Sequence, residues 1–166
     1  DESVSSLDRF ITLYPASEDI NYAIYLKSLN YFYQIEDVGR DQSMTELALQ
    51  SFQNVISKYP YSSYAEDSKQ KIDILKDRLA AKEMEVGRYY QINKNWISAV
   101  NRYNTVINEY KTSIYTAEAL HRLVEIYYYL GLIELSQKYA STLGYNFPDS
   151  EWYEKSYKIV STNSRS

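Results

Sequence analysis

At four places in this chain an apolar run with helical spacing stops at an aromatic residue and restarts behind a serine. The stretches are ITLYPAS ending at Ser17, ISKYPYSS ending at Ser63, VINEYKTS ending at Ser113 and YNFPDS ending at Ser150. Proline follows the aromatic directly at Pro15, Pro60 and Pro148, and the remaining joint has Lys111 instead. Proline disfavours helical geometry in the residue before it, so each helix should end at the aromatic. A serine or aspartate just beyond can accept a hydrogen bond from the free amides of the next helix. Ser63 with Glu66, and Ser43 with Glu46, have the spacing of a capping box. Punctuation that recurs in this way predicts a helical repeat.

The segments before the joints carry apolar residues at intervals of three and four. One set is Met44, Leu47, Ala48, Phe52, Val55, Ile56 and Tyr59, and the next is Trp96, Ala99, Val100, Tyr103, Val106, Ile107 and Tyr110. A third is Leu132, Leu135, Tyr139, Ala140, Leu143 and Phe147, and Val4, Leu7, Phe10, Ile11 and Tyr14 form a shorter first one. Each set makes one stripe, so each predicts an amphipathic helix with one buried face. After each joint comes a second kind of helix. Residues 19–36 and 114–130 are apolar around most of the circumference, as expected of an inner helix packed on several sides. Gly131 is a natural stop for the latter, and 35–44 reads as a polar loop.

From Tyr64 to Asn93 there is no proline and only Gly87. This predicts one long helix of roughly 45 Å at 1.5 Å per residue, with a break near Ala80 as the alternative. The tail 149–160 predicts a further helix. A single repeat domain over 1–166 then divides as a partial repeat 1–17, a repeat with an inserted loop 18–61, a repeat with a long first helix 62–111, a repeat 112–148 and a partial repeat 149–166.

The 166 residues carry a net charge of −4 with mixed signs and no basic tract, so nucleic acid is not an expected partner. No apolar run reaches the ~20 residues needed to span a bilayer. The chain has no cysteine and therefore neither a disulfide frame nor a thiolate site. Catalysis is not expected either. His121 is the only histidine, so a histidine-rich metal site is excluded, a Ser-His-Asp triad would have to use it, and a structural role suits it better. The glycines are scattered at 39, 87, 131 and 144 and form no phosphate loop, and Glu83 and Glu85 point to different helix faces. No cofactor is implied.

The 20 tyrosines are the oddity of the composition. Their rings are apolar and their hydroxyls need a partner or water. Tyr22, Tyr25, Tyr31 and Tyr33 suit core positions with hydroxyls at the rim, yet one small core can hardly hide the whole set. Tyr22, Tyr25, Leu29 and Tyr33 are therefore candidates for lining a peptide groove, where tyrosine offers apolar area at low entropic cost.

The repeat has a register. Ala48, Phe52 and Pro60 recur as Ala99, Tyr103 and Lys111 behind Gly87 and Tyr90; Leu120, Leu123, Tyr127 and Gly131 precede Ser136, Ala140 and Pro148. This resembles the tetratricopeptide repeat, a hairpin of about 34 residues whose small residues let paired helices approach closely. The expected fold is an all-α solenoid of antiparallel helix pairs in a right-handed superhelix, a shape that binds peptides or other domains.

A narrower resemblance is carried by LDRFITLYPAS, YAIYLKSLNYF, GRDQS, ALQSFQNVISKYPYSSYAEDS, DRLAAKEMEVGRYY and AVNRYNTVINEY. Together these cover essentially the whole chain and are similar to the outer-membrane assembly lipoprotein family, BamD or ComL. The resemblance implies a scaffold that makes and breaks no bond, at the periplasmic face of the outer membrane. It also implies binding of BamA through its periplasmic POTRA domains, company with other assembly-machinery lipoproteins, and recognition of targeting segments in unfolded barrel proteins. Lys76, Asp77 and Arg78 match a recurring family run, as do Asn101 and Arg102, and these are the candidate contacts for BamA. Family members begin with a signal peptide and a lipidated cysteine, so this chain reads as a trimmed fragment whose membrane link would be an absent lipid. A periplasmic repeat adaptor of another envelope complex, and an enzyme carrying the array as an accessory module, are the alternatives.

Overall fold

The computed structural model describes residues 2–35 and 42–161. Among them all regular secondary structure is α-helical: α1 (Glu2–Leu13), α2 (Ile20–Tyr33), α3 (Ser43–Lys58), α4 (Ser63–Ile92), α5 (Trp96–Glu109), α6 (Thr116–Tyr129), α7 (Ile133–Asn146) and α8 (Glu151–Ser161). The loop expected over 35–44 lies largely outside the described residues, and its last positions, Ser43 and Met44, already belong to α3. The long helix is continuous over its 30 residues, with no break near Ala80.

The joints work as a stop followed by a start. Tyr59, Tyr110 and Phe147 end α3, α5 and α7 with φ of −133°, −118° and −138° and ψ of 59°, 45° and 57°. Tyr110 adopts this conformation with lysine after it, so the proline reinforces the stop without being required for it. Behind the aromatics, Ser17 Oγ accepts from the Asp19 amide at 3.3 Å, Ser113 Oγ from Tyr115 at 3.2 Å and Ser150 Oγ from Tyr153 at 3.1 Å. At the remaining joint the cap is Ser62, not Ser63. Ser62 Oγ accepts from the Ala65 amide at 3.1 Å and donates to the Tyr59 carbonyl at 2.9 Å, while Ser63 is already the first residue of α4. Ser43 is displaced in the same sense, since Gln42 stands at the cap of α3. Adjacent serines satisfy the same pattern, and only the backbone path decides between them.

A lost cap of this kind costs about 1 kcal/mol. Ser150→Ala should lower the stability of the second unit by that amount, read as an earlier urea midpoint in tryptophan fluorescence. An unchanged midpoint would show that α8 starts without its serine.

The helices gather into two compact units, residues 1–79 and 80–166. In the first, Ala48, Phe52, Ile72 and Leu75 form a core against which Tyr25, Leu29 and Phe32 pack. A second cluster of Ile20, Ile24 and Val55 is flanked by Ile11, Tyr59 and Tyr64. α1 contributes no buried residue, only half-buried ones along one face. In the second unit Ala80, Met84, Ala99, Tyr103, Val106, Ala119, Leu123 and Ile126 make the main core. Ala117, Leu120 and Leu143 form another beneath Phe147, Trp152 and Tyr153.

Small residues set the helix spacing in the second unit. A Cβ at Gly87 would stand 2.6 Å from the Tyr103 ring, and one at Gly144 would stand 2.5 Å from the Tyr153 ring. Gly131 ends α6 with φ +74°, a conformation that favours glycine. The buried stripes are narrower than the apolar spacing predicts. Leu47, Leu132 and Leu135 are exposed, whereas Ser136 is fully buried and donates to the Val124 carbonyl at 3.0 Å. Leu132 precedes the first residue of α7, so helical spacing does not apply to it.

Candidate functional site

In the first unit the four groove candidates lie along α2 but differ in environment. Tyr25 is half-buried, stacked on Tyr64 with ring centroids 5.0 Å apart, and donates its hydroxyl to Asp67 Oδ2 at 2.6 Å. Burial, then the Asp67 hydrogen bond and charge, push the Tyr25 phenol well up, so it stays a donor. Leu29 packs against the Phe52 and Leu75 core. Tyr22 and Tyr33 are exposed; Tyr22 leans toward Tyr64 at 5.4 Å and Tyr33 meets Phe32 edge-on at 5.6 Å. The arrangement is a surface of aromatic rings held by a core-facing tyrosine and leucine.

Lys76, Asp77 and Arg78 also belong to the first unit and are all half-buried, between the buried Leu75 and Leu79 of α4. Asn101 and Arg102 belong to the second unit and are exposed on α5, next to the fully buried Tyr103. The Arg102 guanidinium is held in place by Glu83, with Nη1 donating to both carboxylate oxygens at 3.2 Å. A pinned arginine loses less side-chain entropy on meeting a partner than a free one.

The second unit also holds a polar network that apolar periodicity does not reveal. Arg88 donates to both oxygens of Glu118, Nε at 3.0 Å and Nη2 at 2.8 Å. Arg122 bridges Glu118, from Nη2 at 3.2 Å, and Glu125, from Nη1 at 2.9 Å. Gln91 donates to Glu125 at 3.3 Å and accepts from the Tyr103 hydroxyl at 2.7 Å. Burial opposes the charge on Glu118, but the Arg88 hydrogen bonds and both guanidiniums hold its carboxyl below the usual range. Burial likewise opposes Glu125, yet hydrogen bonds from His121 and Arg122 lower it to about 2. The pairs at 118, 122 and 125 have i,i+3 and i,i+4 spacing and could have been found in TAEALHRLVEIYYY. The contribution of Arg88, thirty positions upstream, has no local signal.

His121 lies at the end of this network. It is buried, with Nδ1 2.8 Å from Ser156 Oγ, Nε2 3.3 Å from Glu125 Oε1, and its ring 5.2 Å from Trp152. Serine, histidine and glutamate are thus in sequence, as a nucleophilic relay would require. The serine, however, is fully buried within α8 and the imidazole lies beside an indole, so a substrate carbonyl cannot reach Oγ. The group joins α6 to α8. No cluster of metal-ligating residues occurs among the described residues, and no helix among them is long and apolar enough to cross a membrane.

The family model described as "YfiO: Outer membrane lipoprotein" matches residues 1–143. A Rickettsia prowazekii protein named outer membrane protein assembly factor BamD is 50% identical over 160 residues, covering 96% of this chain and 64% of that protein. The protein of the same name from Caulobacter vibrioides is 44% identical over 162 residues, covering 98% of this chain and 53% of that one. A third, from Xylella fastidiosa, is 33% identical, with 92% and 56% covered. The chain therefore spans between about half and two thirds of the length of these relatives. On the family match and on helices, joints and small residues that follow one repeat register, the chain belongs to the YfiO outer membrane lipoprotein family.

Proposed function

We propose that the chain is a non-enzymatic repeat scaffold in the assembly of outer-membrane proteins. The observation that carries this reading is its similarity, over nearly its full length, to proteins named as outer membrane protein assembly factors. The geometry supports a binding role. Paired helices present side chains from rigid elements, and the one serine-histidine-glutamate group is sealed. The setting that fits is the periplasmic face of the outer membrane, through a lipid anchor, in company with BamA and other assembly lipoproteins.

In this reading, Lys76, Asp77 and Arg78 on one unit and Asn101 and Arg102 on the other contact BamA POTRA domains. Tyr22, Tyr25, Leu29 and Tyr33 receive targeting segments of unfolded barrel proteins. The hairpins bounded at 17, 61, 111 and 148 are the repeats. The test is capture of a purified POTRA fragment by the 166-residue chain. Arg102→Glu and Arg78→Glu are each expected to weaken capture about tenfold, the scale of a lost charge-assisted contact, while the urea midpoint, followed by far-ultraviolet circular dichroism so that both units report, stays near that of the parent. Because Glu83 would then face a second carboxylate in Arg102→Glu, Arg102→Gln serves as the neutral control. Undiminished capture by all three variants removes these residues from the interface, and failure of the parent to capture at high concentration removes BamA as the partner.

A further inference from the structure

In the second unit a cleft of about 410 Å³ opens between α4 and α6, lined by Arg88, Gln91, Ile92, Trp96, Arg122 and Tyr129 among others. One end is apolar. Ile92 and Tyr129 are 79% and 66% exposed, and the Trp96 and Tyr129 rings lie 4.8 Å apart. Large side chains left this open on a rigid helical face, side by side, form a seat for another apolar group.

The other end is polar, and most of its unused hydrogen-bonding capacity belongs to donors. A guanidinium has five N–H groups, of which Arg88 gives two to Glu118 and Arg122 gives three to Glu118 and Glu125 among the described residues. Both carboxylates are engaged, with Glu125, 31% exposed, itself part of the cleft lining. Glu118, 11% exposed, receives both arginines, and Glu125 receives Arg122, Gln91 and His121. Arg88, by contrast, is 40% exposed and lines the cleft, with three of its five N–H groups unused among the described residues. The ion pairs also hold both guanidiniums in place before a ligand arrives, so little ordering entropy remains to be lost.

The cleft does not close on itself. It shares Glu125 and Tyr129 with a second hollow of about 560 Å³ that reaches Tyr128 and Ile159 of α8. Two hollows that share lining residues give this trough room for a passing chain, and not for a chain end alone.

We propose that this trough binds an extended peptide segment carrying an internal aspartate or glutamate next to a large apolar residue, the carboxylate on Arg88 and Arg122 and the apolar side chain on Trp96 and Tyr129. The two halves of the ligand follow from the two ends of the cleft. Spare guanidinium donors select an acceptor-rich group, and a carboxylate is the one whose two oxygens match the guanidinium fork, while the open aromatic pair selects apolar area. The site uses none of the residues proposed for BamA or for targeting segments, so it stands or falls separately from those assignments.

The test uses the 166-residue chain and an acetylated, amidated heptapeptide with a central glutamate followed by phenylalanine. Titration is followed calorimetrically and by tryptophan fluorescence, since Trp96 lies in the cleft. Binding is expected, with a loss of about tenfold when the peptide's glutamate becomes glutamine or its phenylalanine becomes alanine. Arg88→Gln should abolish the preference for glutamate over glutamine. Tyr129→Ala should weaken binding about tenfold, and because Tyr129 is largely exposed, it should leave the urea midpoint in place. Equal affinity for the glutamate and glutamine peptides, no effect of Tyr129→Ala, or binding only of a peptide with a free terminal carboxylate would each overturn the proposal.

Discussion

Tyr103→Ala is expected to destabilise the second unit by about 3–5 kcal/mol, the range for truncating a fully buried aromatic side chain. Tyr103 is 0% exposed and belongs to the main core, and its ring fills the space left by Gly87. Its hydroxyl is pushed up to about 12 by burial and therefore remains a donor to Gln91 at 2.7 Å. Alanine leaves a cavity against a glycine and removes the donor from the Gln91 oxygen. Tyr103→Phe separates these causes, since it keeps the ring and should cost only about 0.5–1.5 kcal/mol, the net value of one hydrogen bond. Both tryptophans, Trp96 and Trp152, lie in the second unit, so urea denaturation followed by their fluorescence reports on that unit. A loss below about 1 kcal/mol for alanine would mean that α4 and α5 close up over the missing ring.

The second large effect is on acid stability. The folded pKa of Glu125 is depressed from 4.5 to about 2, and that of Glu118 is also depressed. A depressed carboxyl contributes stability that is fully present above its unfolded value and is lost as pH falls through its folded value. For Glu125 the window runs from about 4.5 down to about 2. The gap corresponds to roughly 3 kcal/mol at full strength, and partial exposure of the carboxylate lowers this to about 2 kcal/mol. Glu125→Gln should therefore be less stable than the parent by about 2 kcal/mol at neutral pH, with the two curves converging toward pH 2. Parallel curves across that range would show that Glu125 is not held by its neighbours.

The fold was legible because its signals are local. An aromatic stop, a serine start and stripes of three and four lie within a few residues of each other, and the structure places helices where they point. The shift from Ser63 to Ser62 shows the limit, since two neighbouring hydroxyls are equivalent until the chain path is known. Leu132 and Leu135 mark another. Periodicity identifies a face, but how much of it is covered depends on the neighbouring helix, and Ser136 took the buried place. The tyrosines divided in a way composition could not reveal. Tyr25 turned inward to Asp67 while Tyr33, two helical turns on, is 75% exposed. The polar network was hidden for a different reason. Its i,i+4 pairs on α6 look like ordinary solvated surface until Arg88 arrives from another helix and Ser156 from a third.

The capping serines have an implication for how such a chain can change. Each of Ser17, Ser62, Ser113 and Ser150 acts within three residues of itself, borrowing nothing from distant sequence. A hairpin excised from one serine to the next would carry its own beginning and leave a complete ending behind. Lengthening or shortening the array by whole cassettes therefore leaves every surviving boundary intact.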